Sequence, residues 1–203
     1  MVTPERVKIL KSSLRTGKRL LVLDGAMGTA IQAMDLKPDD FGGLDFEGCN
    51  EYLCITRPDV VAGIHKEYLD AGVDIIETNS FGSTSVVLAE YGLADQARRL
   101  NREAALIART EADEASNEEK PRVVAGAMGP TTKTISVTGG ITFDDLATSY
   151  YEQALGLIEG GVDVLLLETG QDVINVKAGL DGIDRAITEL NIEVAVAVQG
   201  TIE

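Results

Sequence analysis

One phrase occurs twice in this chain, about ninety residues apart: Ala71-Gly-Val-Asp-Ile-Ile-Glu-Thr78 and Gly161-Val-Asp-Val-Leu-Leu-Leu-Glu-Thr169. Each copy follows an amphipathic stretch, passes through glycine, enters a short apolar run and stops at Glu-Thr. A second echo, Gly25-Ala-Met-Gly28 and Gly126-Ala-Met-Gly129, closes two other apolar runs. Such echoes predict a helix–strand unit used repeatedly, with polar residues delivered each time to the carboxyl end of a strand. In a closed parallel barrel that end is where ligands bind.

The rest of the chain extends the pattern. Pro4 to Gly17 reads as an opening helix with Val7, Leu10 and Leu14 on one face. Leu20–Leu23 is a continuous apolar run, as expected of a strand buried on both faces. An irregular stretch over about 33–57 carries both cysteines, and a loop of that length is expected to be functional or disordered. A helix over 58–71 precedes a strand at Val73–Glu77, and a helical stretch over about 84–115 breaks near Gly92. Further strands are expected at Arg122–Gly126, Val162–Glu168 and Glu193–Gln199, with helices over about 144–159 and 172–190 between them. Alternating βα units imply a parallel sheet with right-handed crossovers. The expected fold is an α/β (β/α)8 barrel of which residues 1–203 supply about the first five βα units of a single domain. Stopping after a fifth strand leaves Leu20–Leu23 and Val194–Val198 with one neighbour each.

Bulk properties restrict the partners. The net charge of −15 disfavours nucleic acid and anionic lipid. No apolar run approaches the roughly 18 residues of a membrane span, and the N-terminal segment lacks a signal-peptide core. Cys49 and Cys54 make no disulfide framework, so a reducing cytoplasm is expected. Their spacing is a poor zinc pattern, and they read as buried small hydrophobes. His65, the single histidine, is expected on a helix surface, away from the strand ends.

Asp24, Glu77, the Gly126–Pro130 turn and Glu168 stand at strand ends. Converging carboxylates are costly to desolvate without a cation: a metal, an ammonium or a proton. The backbone N–H groups of Gly25–Gly28 add an anion cradle beside Asp24. Carboxylates next to an anion cradle suit a zwitterion, the ammonium and carboxylate of an amino acid. The competing reading is structural, with Asp24 and Glu168 capping helices or holding backbone.

Leu23-Asp-Gly-Ala-Met-Gly-Thr29, Gly48-Cys-Asn-Glu51, Glu77-Thr-Asn-Ser-Phe81, Gly126-Ala-Met-Gly-Pro130 and Leu167-Glu-Thr169, taken in order, carry a resemblance. The chain resembles the homocysteine S-methyltransferase family, in particular the homocysteine-binding domains of cobalamin-dependent methionine synthases. The resemblance implies a (β/α)8 barrel that binds homocysteine, with a zinc-activated thiolate methylated to methionine. It implies methylcobalamin on a separate corrinoid domain as methyl donor, and a folate domain in the same parent. By position, Asp24 and Glu168 would hold the substrate ammonium, and the amides of Gly25, Ala26 and Met27 its carboxylate. Glu77 and Asn79 would sit at the same mouth in supporting roles.

The chain departs from the family at the metal. The family's zinc ligands are cysteines placed after the sixth and eighth strands, and Cys49 and Cys54 do not match them. No metal ligand is therefore expected in this polypeptide, which reads as a fragment of a longer protein, inactive alone. Two alternatives stay open: a TIM-barrel lyase or isomerase with Asp24 and Glu168 as acid and base, and a non-catalytic amino-acid-binding module without zinc.

Overall fold

A computed structural model describes residues 4–17, 19–136 and 139–201. Four parallel strands, β1 (Ile75–Glu77), β2 (Val123–Met128), β3 (Val164–Gly170) and β4 (Ala195–Gly200), lie side by side in chain order. Helix α1 (Pro4–Thr16) opens the chain, followed by the short α2 (Met27–Ala33) and α3 (Leu53–Thr56). Helix α4 (Pro58–Ala71) leads into β1, and the short α5 (Ser85–Leu88) and long α6 (Ala97–Ala115) lead into β2. Helices α7 (Phe143–Gly160) and α8 (Val173–Leu190) lead into β3 and β4. Neighbouring strands joined by helical crossovers give the expected βα alternation.

Side chains on β1 to β3 alternate between two covered faces, whereas β4, at the sheet edge, leaves Val196 and Val198 42% and 48% exposed. Ile76, Val124, Met128, Leu165 and Leu167 pack against Ala105, Ala108, Leu146, Tyr150, Leu157, Ala178 and Ile183 of the helical layer. Val123, Ala125, Val164 and Ala195 turn the other way and meet Val7 and Leu10 of α1. All six residues of β2 are buried, as its unbroken apolar run requires. Leu14, expected on the packed face of α1, is 69% exposed and falls outside that contact.

The repeated phrase does the same structural work twice. Gly72 and Gly161 end α4 and α7 in the left-handed conformation, with φ of 100° and 94°, where a side chain would be strained. Two residues on, Asp74 Oδ2 accepts the N–H of Val22 at 2.9 Å, and Asp163 Oδ2 accepts that of Val124 at 3.0 Å. The backbone N–H of each aspartate donates to the carbonyl of the same preceding residue, at 2.7 and 2.9 Å. Each aspartate thus pins the start of its own strand to the start of the one before. Arg19 pairs with Asp74 and Arg109 with Asp163, both at 2.7 Å.

Leu20–Leu23 corrects the expectation of a doubly buried strand. It is extended beside β1 through a single bridge, Leu23 to Ile75, and Leu20 is 89% exposed. The cause is its place at the sheet edge: β1 covers one side, and no strand among the described residues covers the other. The stretch over 33–57 is a chain of tight turns, Pro38–Phe41, Leu44–Phe46 and Asn50–Tyr52, followed by α3. Helix α2 just before it was not legible in the sequence, because seven residues carry too little periodicity.

Helix seams depend on small residues. A Cβ on Gly160 of α7 would lie 2.4 Å from Cβ of Ala105 on α6, and one on Gly182 of α8 would lie 2.4 Å from the Ala147 carbonyl on α7. Gly160→Ala and Gly182→Ala should each lower stability by roughly 1–3 kcal/mol, the range for overpacking a tight contact. Denaturant unfolding checks this, and an unchanged midpoint in both variants would contradict the close packing.

Candidate functional site

The far ends of the same strands build the site. Glu77 ends β1, and Glu168 lies in β3 where the register to β4 shifts between Leu167 and Gly170. Such an irregularity re-aims a side chain next to a binding site. Thr169, directly after Glu168, has a φ of 56°, and Ala26, two residues after Asp24, has a φ of 53°. Left-handed backbone at non-glycine residues costs about 1–2 kcal/mol each and has to be held by its surroundings. Asp24 is thus followed by the turn into α2, and Glu168 by an irregularity inside β3, which resumes pairing with β4 at Gly170.

A cavity of about 280 Å³ opens beside these ends. Ala26, Met27, Glu77, Asn79 and Glu168 line it, together with Gly28, Asn50, Glu51, Ser80 and Phe81. Asp24 and Gly25 lie next to it in sequence and are not part of its wall. Asp24 Oδ1 accepts the Glu77 N–H at 2.8 Å, so this acid has a structural duty as well as a charge facing Glu168. The N–H groups of Gly25, Ala26 and Met27 donate to no acceptor among the described residues. A larger cavity of about 470 Å³ shares Glu168 and continues toward Tyr150, Leu167 and the start of α8.

Electrostatics bind the three acids into one unit. Burial raises Asp24 from 3.8 to about 7, offset in part by the Glu77 N–H and reinforced by the charge of Glu168. Burial raises Glu77 from 4.5 to about 8, with the charges of Glu168 and Asp24 adding to it. Glu168 is also pushed up by burial. A cluster of this kind holds protons until a cation replaces them.

Asp24 and Glu77 keep protons in the folded protein over a range, about pH 4 to 8, where the unfolded chain has lost them. The folded state binds more protons there, so this cluster's contribution to stability falls as pH rises. Glu77→Gln should remove part of that fall, and the variant should gain stability relative to the parent between about pH 5 and pH 8. Paired denaturation curves at the two pH values test this; a gap that is constant or reversed would contradict the cluster.

Several residues find different places. His65 corrects the expectation of a surface position: it is fully buried, and neither ring nitrogen has a partner among the described residues. Desolvation lowers its pKa to about 4. Val61, His65 and Leu69 are spaced four apart, so the helix places them on one buried face. Asn79 is buried in a supporting position, donating to the Asn50 carbonyl at 2.7 Å and to Cys54 Sγ at 3.6 Å. Met128 is core, whereas Met27 lines the cavity. Asn50, Glu51, Ser80 and Phe81 reach the site without having been singled out as ligand residues. Their only signal was membership in two short motifs, because the loops around them lack periodicity.

The cysteines are buried, as expected, and burial raises Cys49 to about 11 and Cys54 to about 12. Thiols so far from ionising are poor metal ligands. Among the described residues, no group of three His, Cys, Asp or Glu side chains could hold a metal ion. The zinc that the resemblance implies does not fit these residues.

Residues 21–203 match the family described as Homocysteine S-methyltransferase. The chain belongs to that family. It is 44% identical over 186 residues to methionine synthases of Mycobacterium tuberculosis and Mycobacterium leprae. The matched region is 92% of this chain and 15% of each of those proteins, so the chain spans a small part of the relatives' length. Among solved structures, it resembles the homocysteine methyltransferase MmuM from Escherichia coli in its metallated form. The TM-score is 0.70 at 20% identity, covering 95% of this chain and 65% of that one. The oxidised form of the same enzyme matches with a TM-score of 0.70 at 22% identity, covering 95% and 64%. At this identity the likeness is one of fold, and it supports the (β/α)8 expectation with about five βα units in this chain. No helix among the described residues is long and apolar enough to cross a membrane.

Proposed function

We propose that residues 1–203 form the N-terminal part of a homocysteine-binding (β/α)8 domain in a longer methyltransferase of the methionine synthase type. The observation that carries this reading is the gathering of Asp24, Glu77 and Glu168 beside one cavity, all three held toward the protonated form. A substrate ammonium is the cation that such a cluster favours. Asp24 and Glu168 bind it, with Glu77 adding charge at the wall and Asn79 fixing the loop opposite. The free amides of Gly25, Ala26 and Met27 receive the substrate carboxylate.

The chain's own residues therefore bind and orient homocysteine by its amino-acid end, leaving the thiol to be methylated to methionine. Ammonium binding displaces protons from the acids, so affinity rises with pH until the cluster is fully ionised. Zinc activation, the methylcobalamin donor and the corrinoid and folate domains belong, in this reading, to other parts of the parent protein. The lyase or isomerase alternative uses the same acids for proton transfer, and the family membership of the chain weighs against it.

In the full-length parent, Asp24→Asn and Glu168→Gln should each weaken homocysteine binding by ~1.5–3 kcal/mol, the range for a lost charged hydrogen bond. Titration calorimetry measures it. Unchanged affinity in both variants would sink the assignment.

A further inference from the structure

Beyond the free backbone N–H groups of Ala26 and Met27, the side chains of the cavity wall are rich in acceptors and poor in free donors. Glu77, Glu168 and Glu51 face it with carboxyl groups, and Glu51 Oε1 already accepts the Gly82 N–H at 2.8 Å. The lining hydroxyls are committed: Thr78 Oγ1 and Ser80 Oγ bond each other at 2.5 Å, and Ser80 Oγ also reaches the Ala127 carbonyl at 2.8 Å. Asn79 Nδ2 is spent on the Asn50 carbonyl and Cys54 Sγ. Among the lining side chains, the amide of Asn50 remains without a hydrogen-bond partner among the described residues. Its Nδ2 lies 3.7 Å from the position a Cβ on Gly28 would take, so it stands over the Ala26–Gly28 wall.

A zwitterion in this cavity needs donors for its carboxylate as much as acceptors for its ammonium. A carboxylate placed against the acid walls alone would be repelled. We propose that Asn50 is a specificity-determining residue of the site, its Nδ2 donating to the carboxylate of the bound amino acid. This rests on the reading of the cavity as an amino-acid site and adds the side chain that discriminates the zwitterion from a simple amine. The geometry suits the role. The Asn50 main chain is anchored by Asn79, and its neighbour Glu51 is anchored on Gly82, so the amide is held at the wall by bonds that do not involve its own side chain.

The experiment compares two ligands on the full-length parent by calorimetry and by competition: homocysteine, and 3-aminopropane-1-thiol, the same molecule without its carboxylate. Asn50→Ala should weaken homocysteine roughly 10- to 100-fold, as loss of a charged hydrogen bond does, and leave the amine thiol within about twofold. Asn50→Asp, of the same shape but with an acceptor for a donor, should weaken homocysteine further and not weaken the amine thiol. Asp24→Asn should weaken both ligands, because both carry the ammonium. Equal loss of both ligands in Asn50→Ala would mean a merely structural side chain and would overturn the proposal. So would no loss of either. Failure of the unsubstituted protein to bind homocysteine would instead overturn the amino-acid reading itself, and this inference with it.

Discussion

Register between successive parallel strands is the constraint on which the rest of the molecule depends. A parallel sheet has no tight hairpin to fix one strand against the next, since each crossover is a whole helix. Here the alignment is fixed at the strand starts, where Asp74 and Asp163 each accept a backbone N–H of the preceding strand segment and donate back to the same residue. A slip of one residue would turn every side chain to the opposite face. It would carry Ile76 and Leu165 out of the helical layer. It would also swing Glu77 and Glu168 away from the cavity. The aspartate and the glutamate of the repeated phrase are thus two ends of one device, the first setting where the second arrives.

The two ends follow opposite electrostatic rules. At the strand starts, carboxylates are matched with arginines and backbone donors, so burial is offset locally. At the strand ends, Asp24, Glu77 and Glu168 face one another with no cation among the described residues, and each is pushed toward its protonated form. Unpaired acids and left-handed turns at Ala26 and Thr169 lower the stability of the empty protein. In the proposed reading, a ligand ammonium would remove the repulsion, and free energy withheld in folding would reappear as affinity.

Much of this was legible in the sequence because it rests on periodicity and punctuation. The apolar runs ending at Glu77 and Glu168, the glycines at 72 and 161, and the helix break at Gly92 marked βα units whose order the structure reproduces. What failed was read from neighbours alone. Leu20–Leu23 is apolar enough for a doubly covered strand, yet cover is a property of the sheet around it. The surface expectation for His65 rests on its distance in sequence from the strand ends, whereas its spacing from Val61 and Leu69 assigns it to the buried face. The opposite wall of the cavity was least legible. Asn50 and Glu51 lie in a run of short turns where side-chain direction follows no period, and tertiary bonds alone bring them to the strand ends.

Those tertiary bonds bear on how a ligand exchanges. The segment carrying Asn50 and Glu51 is tied twice to the loop after β1, which donates both times: Asn79 Nδ2 to the Asn50 carbonyl and the Gly82 N–H to Glu51. Cys54 adds a third tie, its Sγ donating to the Asn79 carbonyl at 3.7 Å. Three hydrogen bonds to the loop after β1 hold this segment as one wall of the cavity. Residence time would then be governed by rehydration of the ammonium and the acids as the ligand leaves, and the dissociation rate would respond to salt and pH more steeply than to solvent viscosity.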